Sequence, residues 1–208
     1  MTVSFQRVRV AVACLALLAL GSSARSEEMG LQSFTGGSAL SPSEATLGWK
    51  FTLLQPLTLT HLGLWDSYQD GLLEDHQIGI WTAAGDLVPG AEATATLGGG
   101  GDDWRWVALP SSVYLAPGEY VIGAWCAYKN ADETVVMADS ITTAPWVEFQ
   151  EYRYTQDSFA YPSQTYPGAG YSAFGPNLKG DPVPEPALAQ LPFLLGLGGI
   201  VWWRRRRR

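Results

Sequence analysis

Residues 46–53 read Thr46-Leu47-Gly48-Trp49-Lys50-Phe51-Thr52-Leu53. Leu47, Trp49, Phe51 and Leu53 alternate strictly with Thr46, Gly48, Lys50 and Thr52, the period of a strand with one buried face. Beyond the break at Gln55-Pro56 a second strand spans residues 57–65. Its apolar set changes phase between Leu59 and Leu62, which predicts a bulge near Thr60-His61. Residues 77–81, 91–97, 104–109, 120–128, 134–138 and 147–154 read as further strands, and Ala173-Phe174 opens a closing one. Turn residues separate them: Ala84-Gly85-Asp86, Pro89-Gly90, the glycine run 98–101 and Ala116-Pro117-Gly118. No helical period of apolar residues interrupts this pattern. The prediction is an all-β, antiparallel β-sandwich, jelly-roll-like rather than of immunoglobulin order.

On either side of this domain (residues 45–179) the composition changes. Residues 25–44 are polar and read as a leader with one short strand at most. Before them, Arg7 and Arg9 precede an apolar run, residues 10–20, and the small residues Ser22, Ser23 and Ala24. That order is a secretory signal peptide, residues 1–24, cleaved after Ala24. Cys14 lies too early in the run for a lipoprotein cysteine. Residues 180–208 end the chain in three parts: Pro184-Glu185-Pro186, an apolar run over 187–203, and Arg204, Arg205, Arg206, Arg207 and Arg208. The prolines fix φ and keep their segment extended. The run is just long enough to cross a hydrocarbon core of roughly 30 Å as a helix. The arginines would hold its C-terminal end in the cytoplasm, with Trp202 and Trp203 at the interface.

This ordered tail closely resembles the PEP-CTERM sorting signal of Gram-negative bacteria. The resemblance implies that an exosortase-type membrane peptidase recognises Pro184, Glu185 and Pro186, cuts near them, and releases or transfers the protein to the surface. An ordinary tail anchor is the alternative, disfavoured by Gln190 and Pro192 within the span. The body has a resemblance of its own, carried by residues 46–51, Gly63-Leu64-Trp65-Asp66, Asp70-Gly71-Leu72, residues 76–81, Tyr120-Val121-Ile122-Gly123 and Phe174-Gly175-Pro176-Asn177. In that order they look like an uncharacterised domain found ahead of PEP-CTERM tails, which implies boundaries and no reaction.

The two signals hold most of the basic residues. Although the chain as a whole carries −7, residues 25–181 contain six Lys or Arg against nineteen Asp or Glu, a net charge of −13. Nucleic acid and anionic membrane surfaces are therefore poor partners of the mature domain, because like charges repel. Of the two cysteines only Cys126 survives signal cleavage, so no intramolecular disulfide can form.

Catalytic chemistry finds few residues to work with. The only histidines are His61 and His76, and no Gly-x-Ser-x-Gly elbow is present. Cys126 sits in an apolar strand, where a buried inert thiol is expected. Zinc spacing is absent, and the glycine run 98–101 lacks the Lys and Ser or Thr of a phosphate loop. His76 is expected to make a hydrogen bond across the sheet. Catalytic residues: none.

Two constellations carry other expectations. The acidic loop with Asp66, Asp70, Glu74 and Asp75 offers hard oxygen ligands, and Asp66 and Asp70 are candidate ligands for one Ca²⁺; a merely solvated loop is the alternative. Trp104 and Trp106 share one strand face, which is either core or a platform for sugar rings. Tyr166, among loop tyrosines, is the third carbohydrate candidate. The resulting expectation is an exported, non-enzymatic surface or extracellular-matrix protein with a structural or adhesive role on extracellular polysaccharide. The alternatives are a carbohydrate-binding module, calcium-dependent or not, and a polysaccharide-acting enzyme.

Overall fold

A computed structural model describes residues 27–40, 44–127, 132–156, 158–165 and 172–183. The expected signal peptide, the expected sorting signal from Pro184 to the arginines, and Tyr166 lie outside the described residues. Within the described residues the chain is all-β, without a helix, and every strand pair is antiparallel.

The described residues open with β1 (Glu28–Met29), β2 (Leu31–Thr35) and β3 (Ser38–Leu40), then the long strands β4 (Ala45–Leu53), β5 (Leu57–Trp65), β6 (His76–Thr82) and β7 (Leu87–Ala95). Next come β8 (Trp104–Leu115), β9 (Gly118–Cys126), β10 (Val135–Ala138), β11 (Ser140–Thr143) and β12 (Val147–Gln156). β13 (Gln164–Thr165), β14 (Ser172–Phe174) and β15 (Pro176–Pro182) are the last strands among the described residues. One sheet has the order β13-β12-β4-β9-β6-β7 and another β1-β15-β5-β8. Two small sheets, β14-β10-β3 and β11-β2, complete the set.

The alternation of residues 46–53 is realised in the six-stranded sheet: Trp49, Phe51 and Leu53 are buried on its inner face. They join Ile78, Ile80 and Ile122 of the same sheet and Leu59, Leu62 and Leu64 of the four-stranded one in a single apolar cluster. Full burial of each such side chain contributes about 1.5–3 kcal/mol, so this shared core is the main cohesive term. Trp49 also binds the two sheets directly, because its buried Nε1–H donates to the Pro176 carbonyl at 2.8 Å. The predicted bulge is present. The β5–β8 register shifts between Leu59 and His61, which keeps Leu59 and Leu62 on the core side.

The other face of the six-stranded sheet is covered as well. Gly48, Gly123 and Gly79 lie in register across β4, β9 and β6. A side chain at Gly123 would meet Pro162 at 2.8 Å, and one at Gly79 would meet Phe159 at 3.0 Å. Residues 158–162 therefore lie along this bare column, and Thr46 Oγ1 ties them down by donating to the Ser158 carbonyl at 2.6 Å. Tyr161 is half-buried over Gly85.

Of the boundaries that differ from the sequence reading, three have an evident physical reason. The polar leader contributes β1, β2 and β3, because a distant side chain captures its backbone. Buried Asn177 accepts from the Leu31 N–H and donates to the Leu31 carbonyl, both at 2.9 Å. Pro89-Gly90 sits inside β7 rather than ending a strand, since β7 is a sheet edge where a missing N–H costs no pairing. β8, another edge, runs to Leu115 rather than stopping at Leu109.

Candidate functional site

Trp104 and Trp106 are two residues apart on β8, so they share a face. Register identifies which. Trp104 pairs with Trp65 and Trp106 with Gly63, whereas the fully buried Leu62 and Leu64 alternate with these on the core side. The tryptophans therefore stand on the face of the four-stranded sheet turned away from Leu62 and Leu64. Gly63 is required beneath them, because a Cβ there would lie 2.6 Å from the Trp106 ring.

The two rings belong to a longer row. Phe34 meets Trp65 edge-on at 4.7 Å between centroids, Trp65 meets Trp104 edge-on at 5.3 Å, and Trp104 lies 5.7 Å from Trp106 at 30°. Lys179 Nζ sits 4.5 Å from the Trp106 ring centroid and ends the row with a positive charge. All four rings are half-buried. Beside the row opens a cleft of about 360 Å³, lined by Leu97, Gly98, Gly99, Asp102, Trp104 and Trp106 among others. Fixed, partly exposed rings beside a polar-edged cleft present apolar surface at little entropic cost on binding.

The loops at this end are fastened by one ion pair. Asp66 is only 4% exposed, and its Oδ2 accepts from Gly71 N at 3.0 Å, from Arg105 Nε at 2.9 Å and from Arg105 Nη2. The glycine run lies against the same guanidinium: a Cβ on Gly99, whose φ is +83°, would come within 2.8 Å of Arg105 Nη1. Leu72 and Gly98 exchange backbone hydrogen bonds, so the acidic loop and the glycine loop form one unit. Of the two residues expected to hold calcium, Asp66 thus faces arginine, and Asp70 is exposed.

Further along, His76, Asp132 and Glu74 come together. His76 Nδ1 lies 2.9 Å from the Trp125 carbonyl and Nε2 lies 2.8 Å from Asp132 Oδ2. The first contact is the expected cross-sheet hydrogen bond. The second could not be read from the sequence, because Asp132 is 56 residues away and follows a different strand. Asp132 also accepts from the Leu73 and Glu74 amides. Nearby, Tyr68 donates to Glu133 Oε2 at 2.8 Å, and that hydrogen bond, reinforced by the carboxylate's charge, raises the phenol above its ordinary range. Cys126 is buried, and burial pushes its thiol up to about 12, which suits an inert core residue.

The sequence thus placed Trp104 and Trp106 on one face. It missed Phe34 and Trp65 as their neighbours, since these lie on β2 and β5 and meet β8 only through tertiary packing. Among the described residues, fold and surface together define an all-β, antiparallel domain with an aromatic face, and no more specific class. A family model described as a domain of unknown function, DUF4082, matches residues 34–173, about two thirds of the chain. The chain belongs to this family. The match starts within β2 and stops within β14, so β1 and β15 lie beyond it. No curated protein matches the chain.

Proposed function

We propose that this is an exported surface or extracellular-matrix protein that adheres to extracellular polysaccharide through its aromatic face. The observation that carries the reading is the row Phe34, Trp65, Trp104 and Trp106 beside its cleft. Sugar rings present flat C–H faces that stack on such indoles, and a repeating polymer can engage several along one row. Tyr166 is proposed as a further contact. The two large sheets with their common core support a jelly-roll-like sandwich as the finer architecture. Delivery is proposed to run through the signal peptide and an inner-membrane intermediate, with an exosortase-type peptidase acting at Pro184, Glu185 and Pro186. The net charge of −13 over residues 25–181 favours neutral polymers and disfavours nucleic acid. Calcium plays no part in this reading, because the Asp66 carboxylate already faces Arg105. No catalytic step is proposed.

The test is sedimentation of the purified protein with polysaccharide prepared from its own host. Co-sedimentation that soluble polymer competes away supports the reading. Protein that stays in the supernatant at every polymer concentration refutes adhesion, leaving a purely structural role.

A further inference from the structure

The geometry points to a divalent transition-metal site, of the kind zinc occupies, formed by His76 Nε2 with the Asp132 and Glu74 carboxylates. The three ligand atoms lie within 4.8 Å of one another. The side chains of His76 and Asp132 are 1% and 6% exposed, and Glu74 is 8% exposed. The site shares no residue with the aromatic row and does not depend on the polysaccharide reading.

The argument starts from the imidazole. A carbonyl can only accept, so the contact with Trp125 O requires the proton on Nδ1. This leaves Nε2 facing Asp132 Oδ2, 2.8 Å away. Two lone pairs at that distance need a positive centre between them, either a proton or a metal ion. An imidazole oriented by a carbonyl on its far nitrogen is how metal-binding histidines are commonly held. The carboxylate is oriented too, by the amides of Leu73 and Glu74. Glu74 adds a second carboxylate, with an oxygen inside the same cluster.

The donor set selects the ion. An imidazole nitrogen with two carboxylate oxygens suits zinc and its neighbours better than calcium or magnesium, which prefer oxygen alone. Metal binding takes Nε2 unprotonated and the carboxylates ionised, so it is favoured as pH rises. Bonds of about 2.0–2.1 Å in tetrahedral geometry place ligand atoms about 3.3 Å apart, so His76 and Asp132 must separate by about half an ångström. The fourth position falls to water. The ion would join the start of β6 to the segment entering β10, a structural fastening at the end of the domain where the acidic loop lies.

The full-length chain, purified in detergent and stripped with chelator, is dialysed against Zn²⁺ and analysed for bound metal, with thermal unfolding recorded in parallel. One zinc per chain and a raised melting temperature are expected. Glu74→Gln keeps the His76–Asp132 pair and the side-chain shape, and should weaken zinc binding at least about tenfold, the scale on which site residues tune affinity. His76→Ala should abolish it, and Co²⁺ should report a four-coordinate visible spectrum in the parent protein alone. Zinc binding that Glu74→Gln leaves unchanged would overturn the assignment, as would a stripped parent that takes up no metal and shows no thermal shift.

Discussion

Replacing Arg105 by methionine keeps the apolar stem and deletes the guanidinium, isolating the ion pair that fastens the loops beside the aromatic face. Asp66 would then stay buried, with the Gly71 amide as its described partner. Breaking one side of a buried ion pair costs about 3–5 kcal/mol. The retained amide and the 14% exposure of the Arg105 side chain argue for the lower end, about 3 kcal/mol. Asp66→Asn alone should cost less, since the charge it orphans, the Arg105 guanidinium, is 14% exposed against 4% for the Asp66 side chain and can still donate to the Asn carbonyl. The double variant should recover much of the Arg105→Met loss, because removing both charges leaves neither unanswered. Urea unfolding reads this directly: at a slope of about 1–3 kcal/mol per molar, the Arg105→Met midpoint falls by roughly 1–3 M. Two results would refute the reasoning. One is an Arg105→Met cost below about 1 kcal/mol; the other is a double-mutant cycle in which the two changes simply add.

Other consequences follow from single positions. Gly48→Ala would set a Cβ 1.8 Å from the Ile122 carbonyl on the adjoining central strand, so it should destabilise by about 3 kcal/mol or more; a loss under about 1 kcal/mol would contradict the register. Cys126 should resist iodoacetamide in the native state and react fully in denaturant. Its folded thiol, at about 12, lies above the unfolded value of 9.0, so its contribution is present below pH 9 and lost between pH 9 and 12, by up to about 1.4 kcal/mol per pH unit. Cys126→Ala should flatten that decline, and native alkylation at the rate of a free thiol would contradict the burial. Intact mass of the protein from its host's matrix fraction should lack both residues 1–24 and the terminal arginines; mature protein still carrying Arg204 would count against exosortase sorting.

The strands of the core were legible because their burial has a local period. Leu47, Trp49, Phe51 and Leu53 announce a buried face on their own, and the phase change from Leu59 to Leu62 announced the bulge. What escaped was whatever depends on a distant partner. Leu31 is a lone apolar residue in a polar stretch, and its strand exists because Asn177 bonds its backbone from 146 residues away. The glycines at 48, 79 and 123 look unremarkable singly; only register makes them a column that residues 158–162 can cover. The aromatic face was half legible. Spacing put Trp104 and Trp106 together, whereas Trp65 and Phe34 needed the β5–β8 register and the fold of the leader. In the acidic loop, composition reveals Asp66 but not the Arg105 guanidinium that meets it.

The most direct test of the account measures binding of host polysaccharide to the parent protein, Trp106→Ala and Tyr114→Ala by affinity electrophoresis. Tyr114 lies on the same strand, is 62% exposed and stands outside the row, so it controls for loss of any surface aromatic. The account predicts retardation of the parent and of Tyr114→Ala, with Trp106→Ala losing about 1–3 kcal/mol of binding, roughly five- to two-hundredfold, on the scale of one buried aromatic contact. Equal retardation of all three proteins would contradict the claim that the aromatic row is the binding face.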